Sequence, residues 1–346
     1  MVRDWGSRDT DFIEMTARVQ NRIEQIAGVE DESHVCVLLQ GSGTFAVEAA
    51  ITSLVPGDGK ILVLVNGAYG QRICKICDYH GRKFDVLETD ENVPPDAGVI
   101  EEYLAQNEDI TDVIAVHCET TSGILNPIVE IAQIVSVTGR RLIIDAMSSF
   151  GALPLSVRDV PCEAIIASSN KCLEGVPGIG FVIVDRGLLQ EAKGNSGSLA
   201  LDLHDQWAGF ENNGQWRFTP PTQVLSALDQ ALSEHEAEGG AVGRGKRYAA
   251  NCSLLVAGMR ALGFETYLSD NLQAPIIVTF KRPDHPKFDF DQFYERLKDR
   301  GFAIYPGKLT KADSFRMGCI GHLFEEDMSA AVEAVEQVLS EMEISL

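Results

Sequence analysis

The feature that most constrains this chain is a series of short runs rich in Val and Ile, spaced along its first half. They read ILVLVN at 61–66, VIAVH at 113–117, RLIIDA at 141–146, EAIIAS at 163–168 and GFVIVD at 180–185. Apolar residues at successive positions need burial on both faces of a strand, because neighbouring side chains point to opposite sides. Helical patterns lie between most of them: TFAVEAAITSLV after Gly43, QRICKICDYHG, and NPIVEIAQIVSVTG with Gly139 placed as a C-cap. Strand and helix in alternation predict an α/β fold with a mostly parallel, doubly wound sheet.

After about residue 240 the pattern changes. A helix is expected over 242–262, then APIIVTF as a strand, FDFDQFYERLKDRG as a helix, FAIY and FRMGCI as strands, and EEDMSAAVEAVEQVLSEMEI as a closing helix. At 346 residues the chain exceeds what one small core needs. The expected division is a large domain over 1–240 and a smaller α+β C-terminal domain over 241–346, with GGAVGRG at 239–245 as the hinge.

Charge narrows the function. The formal net charge is −22, so nucleic acid or an anionic membrane is repelled overall, and any anionic ligand must be met by local donors. No run approaches the ~18 apolar residues of a transmembrane helix, and MVRDWGSRDTDF has no apolar core of a signal peptide. With eight scattered cysteines, a cytoplasmic protein is expected. Cys74 and Cys77 form a C-x-x-C with His80 three residues on, but no second cysteine pair completes a zinc site. Buried helix cysteines, and no metal, are expected there.

Three places carry candidate chemistry. Gly41-Ser42-Gly43-Thr44 precedes a helical pattern, where backbone N–H groups and the positive helix end can cradle a phosphate; an ordinary glycine turn with a hydroxyl N-cap fits equally. Asp145 ends a strand at the edge where open parallel sheets bind ligands, and a carboxylate among apolar residues there calls for a cation such as a protonated pyridine nitrogen. The alternative is a turn residue in DAMSS. Lys171 lies just past the next strand, 26 residues after Asp145, among Ser168, Ser169 and Asn170. There it can attack an aldehyde, although most lysines are merely solvated.

The order GSGT, NGAYGQR, HCETTSG, DAMSSFG, SSNKCLEGVPG, WRFTPPT and FRMGCIG resembles the class V branch of fold-type I aminotransferases, over nearly the whole chain. The resemblance implies pyridoxal 5'-phosphate as cofactor, an amino-transfer reaction, and a homodimer with active sites at the subunit interface. It is closest to the branch that acts on 2-aminoethylphosphonate and pyruvate. Carried over by position, it implies that Ser42, Gly43 and Thr44 bind the cofactor phosphate and that Tyr69 stacks on the pyridine ring. Thr120 lies near the ring hydroxyl, Asp145 pairs with the ring nitrogen, and Lys171, beside Asn170, holds the cofactor covalently. Thr219 reaches the phosphate of the neighbouring subunit, and Arg316 grips the substrate's anionic group. Read without the family, Tyr69 is a core aromatic and Thr219 a turn residue before two prolines, whereas a guanidinium on an apolar strand already asks for an anion.

The chain departs from the family pattern twice. An LTPGP-type segment usually stands some twenty residues before RDWGSRD, which here begins at Arg3, and TPPTQ replaces a motif with a Ser and a His. The first implies intact cofactor binding with weakened catalysis; the second bears on fine specificity. Alanine:glyoxylate or serine:pyruvate transamination would share every cofactor residue. Cysteine desulfuration lacks its cysteine in a mobile loop, since Cys319 lies in an apolar run. A nucleotide-binding oxidoreductase would need a G-x-G-x-x-G that is missing. A non-catalytic dimer retaining the fold is the alternative outside enzymes.

Overall fold

A computed structural model describes residues 4–346; Arg3, the first residue of RDWGSRD, lies outside the described residues. In chain order the strands of the first part are β1 (His34–Gly41), β2 (Lys60–Val65), β3 (Lys83–Glu88), β4 (Asp112–Val116), the short hairpin β5 (Cys118–Glu119) and β6 (Ile124–Leu125), β7 (Arg141–Asp145), β8 (Ala164–Ser168) and β9 (Gly178–Asp185). Seven of them form one sheet in the order β1-β9-β8-β7-β4-β2-β3. The pairs β2/β3, β2/β4, β4/β7 and β7/β8 are parallel, whereas β9 runs antiparallel to both β8 and β1.

Alternating side chains of the same strands enter two separate cores. Leu62, Leu64, Val113, Ala115, Leu142 and Ile144 face one, packed under helices α1 (Thr10–Ile26), α4 (Ala97–Gln106), α5 (Ile128–Val137) and α8 (Thr222–Ala237). Ile61, Val63, Val65, Ile114, Val116 and Ile143 face the other, under α2 (Gly43–Leu54) and α3 (Ala68–Tyr79). Burial on both faces is why these runs carry no polar alternation. The edge strand β3 is half exposed, and its mixed sequence KFDVLE hid it from a search for apolar runs. Two further helices, α6 (Arg186–Glu191) and α7 (Leu203–Asn213), follow β9.

The remaining chain builds a three-stranded antiparallel sheet, β10 (Ile277–Lys281), β12 (Ser314–Gly318) and β11 (Tyr305–Pro306), in that spatial order. Helices α9 (Gly240–Ala261), α10 (Phe290–Asp299) and α11 (Glu325–Glu341) complete it. Its core centres on Phe315, whose ring lies 5.5–5.6 Å from those of Phe264, Phe280 and Phe293. The expected strand FAIY shrinks to Tyr305–Pro306, because only this end pairs with β12.

The stretch at 239–245 is not a loose linker. Gly239 and Gly240 take φ of 98° and 67°, ending α8, and the rest already belongs to α9. Arg244 in its first turns is buried, donates 2.6 Å bonds to Glu238 and to the Cys172 carbonyl, and so ties α9 to the loop that carries Lys171.

Cys74 and Cys77 are buried on α3, and burial pushes their thiols up to about 11 and about 12. His80 lies 2.7 Å from Glu48 rather than from a cysteine.

Candidate active site

Parallel strands end together, so the segments after β1, β4, β7 and β8 share one edge of the sheet, joined by the start of the antiparallel β9. There a cavity of about 470 Å³ is lined by Ser42, Gly43, Thr44, Tyr69, Arg72, Asp145, Asn170 and Lys171. Seven of the sequence-predicted residues therefore converge. Thr120 borders them by its hydrogen bond to the Tyr69 phenol. Thr219 does not converge: it is exposed beside the half-exposed Phe218, outside this cavity.

The first turn of α2 faces the cavity. Ser42 is the N-cap, in extended conformation, yet its hydroxyl caps nothing, so it and the orphan N–H groups of the helix start are free for a ligand. A Cβ at Gly43 would stand 2.1 Å from the Met147 sulfur, so the side chain of the turn after β7 packs closely on the helix start and would have to move for a larger residue. Thr44 Oγ1 accepts a 3.2 Å bond from Arg72, whose guanidinium also lies 4.8 Å from the centre of the Tyr69 ring.

Asp145 is buried and accepts one backbone bond, from Met147 N–H at 2.9 Å. Burial raises its carboxyl to about 6, opposed by that bond and by Arg72, with the nearby Glu119 raising it further. Among the described residues it has no ion-pair partner, which is the state expected of a carboxylate that awaits a cationic ring nitrogen.

Lys171 sits on a tight turn. Glu174 N–H bonds the Lys171 carbonyl at 3.0 Å, and Gly175 N–H bonds the Ser169 carbonyl at 2.8 Å. Glu174 holds a left-handed φ of 57°, and its carboxylate accepts bonds from Arg247 at 2.8 Å and Tyr248 at 2.5 Å. The strain is held by α9 from outside.

Glu119 was not singled out from sequence, although HCETTSG contains it. It is fully buried and takes N–H bonds from Tyr69 (3.1 Å), Gly70 (3.3 Å) and Thr121 (3.0 Å), plus the Thr121 hydroxyl at 2.6 Å. A carboxylate at the N-terminus of α3 thus fixes the backbone of Tyr69. Burial raises its pKa, and the hydrogen bonds oppose this. The available signal was an acid three residues past the apolar end of β4.

Arg316 is buried on β12. Its Nη1 donates to the Thr120 carbonyl at 2.7 Å and its Nε to the Pro306 carbonyl at 3.2 Å, and it forms no ion pair among the described residues. Burial lowers its pKa, the direction expected of a cation left without a counter-charge.

A sheet-edge lysine, an unpaired buried carboxylate and a helix-start cradle define a site for a phosphorylated, cationic aldehyde cofactor. The chain belongs to the class-V aminotransferase family, whose model matches residues 1–311. The family's cofactor is pyridoxal 5'-phosphate, and the free hydroxyl of Ser42 and the unpaired Asp145 fit it. The chain is 55% identical over 346 residues to 2-aminoethylphosphonate–pyruvate transaminase of Pseudomonas putida, covering 99% of this chain and 93% of that one. The like-named enzyme of Pseudomonas aeruginosa is 54% identical over 344 residues, covering 99% and 92%. Among solved structures, ureidoglycine–glyoxylate aminotransferase from Bacillus subtilis superposes with a TM-score of 0.90 at 19% identity, over 100% of this chain and 89% of that one, a likeness of fold.

Proposed function

We propose that the chain transfers the amino group of 2-aminoethylphosphonate to pyruvate, giving phosphonoacetaldehyde and L-alanine. The observation that carries this reading is the identity of 55% along 99% of the chain to an enzyme of that name. The uncompensated Arg316 at the Thr120 end of the site supports it, since both amino donor and acceptor are anionic.

Pyridoxal 5'-phosphate supplies an aldehyde that takes up the amino group and a ring that withdraws electrons from the substrate carbon. The residues divide the remaining work. Ser42, Gly43 and Thr44 hold the phosphate on the start of α2, with Arg72 beside Thr44 adding positive charge. Tyr69, fixed by Glu119, lies against the ring face, and Thr120 and Asn170 border it. Asp145 keeps the ring nitrogen protonated; once that cation is near, the cost of ionising the buried carboxyl falls. Lys171 would hold the cofactor through its amine, and that amine, once freed, would serve as the base that takes the proton from the substrate carbon. Arg316 holds the substrate's phosphonate or carboxylate by its free guanidinium edge.

The same reading makes the protein a homodimer, in which the exposed Thr219 reaches the phosphate site of the partner subunit. It also divides the chain into a large domain to residue 240 and a small one from 241, the latter with its own aromatic core. Eight free cysteines favour the cytoplasm, and no helix among the described residues is long and apolar enough to cross a membrane. The deciding assay offers 2-aminoethylphosphonate, alanine and serine as donors with pyruvate or glyoxylate as acceptor. Alanine formed from 2-aminoethylphosphonate and pyruvate is expected; turnover only with alanine and glyoxylate, or serine and pyruvate, would replace the substrate assignment.

A further inference from the structure

Two cations meet at the Tyr69–Thr120 unit, and among the described residues neither forms an ion pair. Arg316 is held there by the neutral carbonyls of Thr120 and Pro306. Lys308 comes from the loop just after Pro306: its Nζ lies 3.4 Å from the Tyr69 hydroxyl and 5.1 Å from the centre of that ring. One short segment therefore both orients Arg316 and launches Lys308.

That segment is anchored rather than free. Gly307 N–H bonds the Ser314 carbonyl at 3.0 Å, and Thr310 N–H lies 3.1 Å from each carboxylate oxygen of Glu91. The next lysine, Lys311, is neutralised by Asp90. Lys308 is not, although the chain carries 51 acidic side chains against 29 basic ones. Lys308 itself lines the adjoining cavity, which shares Arg72 with the active-site cavity, so its ammonium reaches the Tyr69 phenol from the neighbouring side.

The two substrates differ in what they ask of such a charge. A carboxylate carries one negative charge and two oxygens in a plane, which one guanidinium fork can match. A phosphonate has three oxygens and, once its second proton is lost, carries two negative charges, as a phosphoryl group does. Arg316 alone satisfies pyruvate and leaves about one charge of the phosphonate unmatched. We propose that Lys308 is the specificity-determining cation of this site, pairing with the second charge of a phosphonate while Arg316 serves phosphonate and carboxylate alike. The assignment rests on the 2-aminoethylphosphonate reading for its biological substrate, but the recognition it describes does not depend on turnover.

The test is calorimetric titration of the cofactor-loaded protein with methylphosphonate and with acetate, at a pH above the second ionisation of methylphosphonate, for wild type, Lys308→Met and Lys308→Arg. Lys308 is exposed, so neither substitution opens a cavity. Lys308→Met is expected to weaken methylphosphonate at least tenfold more than acetate, and Lys308→Arg to restore most of the difference. Steady-state kinetics should agree, with the KM for 2-aminoethylphosphonate rising at least tenfold relative to that for pyruvate. Equal weakening of both anions, or none, overturns the assignment, as does an unchanged KM ratio. A wild type that prefers methylphosphonate through Lys308 yet forms no alanine from 2-aminoethylphosphonate sinks the activity reading and leaves Lys308 in place.

Discussion

The edge of the seven-stranded sheet and the facing part of the three-stranded sheet contribute opposite kinds of unfinished electrostatics to one site. On the large sheet the unpaired group is an acid, Asp145, buried with a single backbone bond. On the small sheet the unpaired groups are cations, Arg316 buried on β12 and Lys308 exposed beside Tyr69. The proposed function gives each its counter-charge: the acid would meet a cationic ring nitrogen, and the cations an anionic substrate. The difference separates residues that act on the reacting atoms from residues that choose the substrate, and the two sets should respond differently to substitution.

The largest expected effect lies on the large sheet. Lys171→Ala should remove turnover altogether and leave the cofactor without its covalent link, because among the described residues no other amine lines the cavity with Asp145. Borohydride reduction of the loaded wild type followed by peptide mapping checks this directly. A pyridoxyl label on Lys308, the lysine nearest Tyr69, would erase the proposed division between the sheets.

Asp145→Asn should come next, slowing turnover by about 100- to 1000-fold, or ~3–4 kcal/mol at ~1.4 kcal/mol per factor of ten. A second signature appears without cofactor. The folded carboxyl, at about 6, lies above its ordinary value, so the proton it holds adds stability that is complete below about pH 4. That stability is lost as pH rises through about 6. Comparing wild type with Asp145→Asn by urea denaturation of the apo form should show wild type losing about 1.4 kcal/mol more between pH 5 and pH 8. Parallel pH profiles would mean that Asp145 ionises freely in the apo protein.

The smallest of these effects lies on the small sheet. Arg316→Lys should raise KM for both 2-aminoethylphosphonate and pyruvate by roughly tenfold with a lesser change in kcat, since a point charge replaces a planar fork whose other N–H groups are fixed by two carbonyls. If only one substrate suffers, Arg316 is not the shared anchor.

The two regions also differed in how far they could be read in advance. Asp145 and Lys171 stood out because each follows an apolar run that had to be a buried strand, and strand ends in a parallel sheet point to a common edge. GSGT was legible as one of two readings, a phosphate cradle or an ordinary capped turn, and the order of the family motifs favoured the first. Glu119 escaped because its role is to bond the backbone of Tyr69 and Gly70, some fifty positions earlier in the chain. Lys308 escaped because its partner Tyr69 is 239 positions away, and Arg72 because its bond to Thr44 joins two helices.

What the sequence determined by itself was the alternation of buried strands with helices, the identity of the residues at the strand ends, and an acidic surface that forces anions to be met locally. Those follow from side-chain periodicity and composition, which act within a few residues. Tertiary structure alone decided that β9 runs antiparallel between β8 and β1, that 239–245 starts a helix pinned by Arg244, and that Thr219 lies outside the cavity lining. It also decided which charges stay unpaired. Neutralisation depends on what lies within hydrogen-bonding reach in three dimensions, so Lys311 finds Asp90 while Lys308, three positions earlier, finds a phenol and no acid among the described residues.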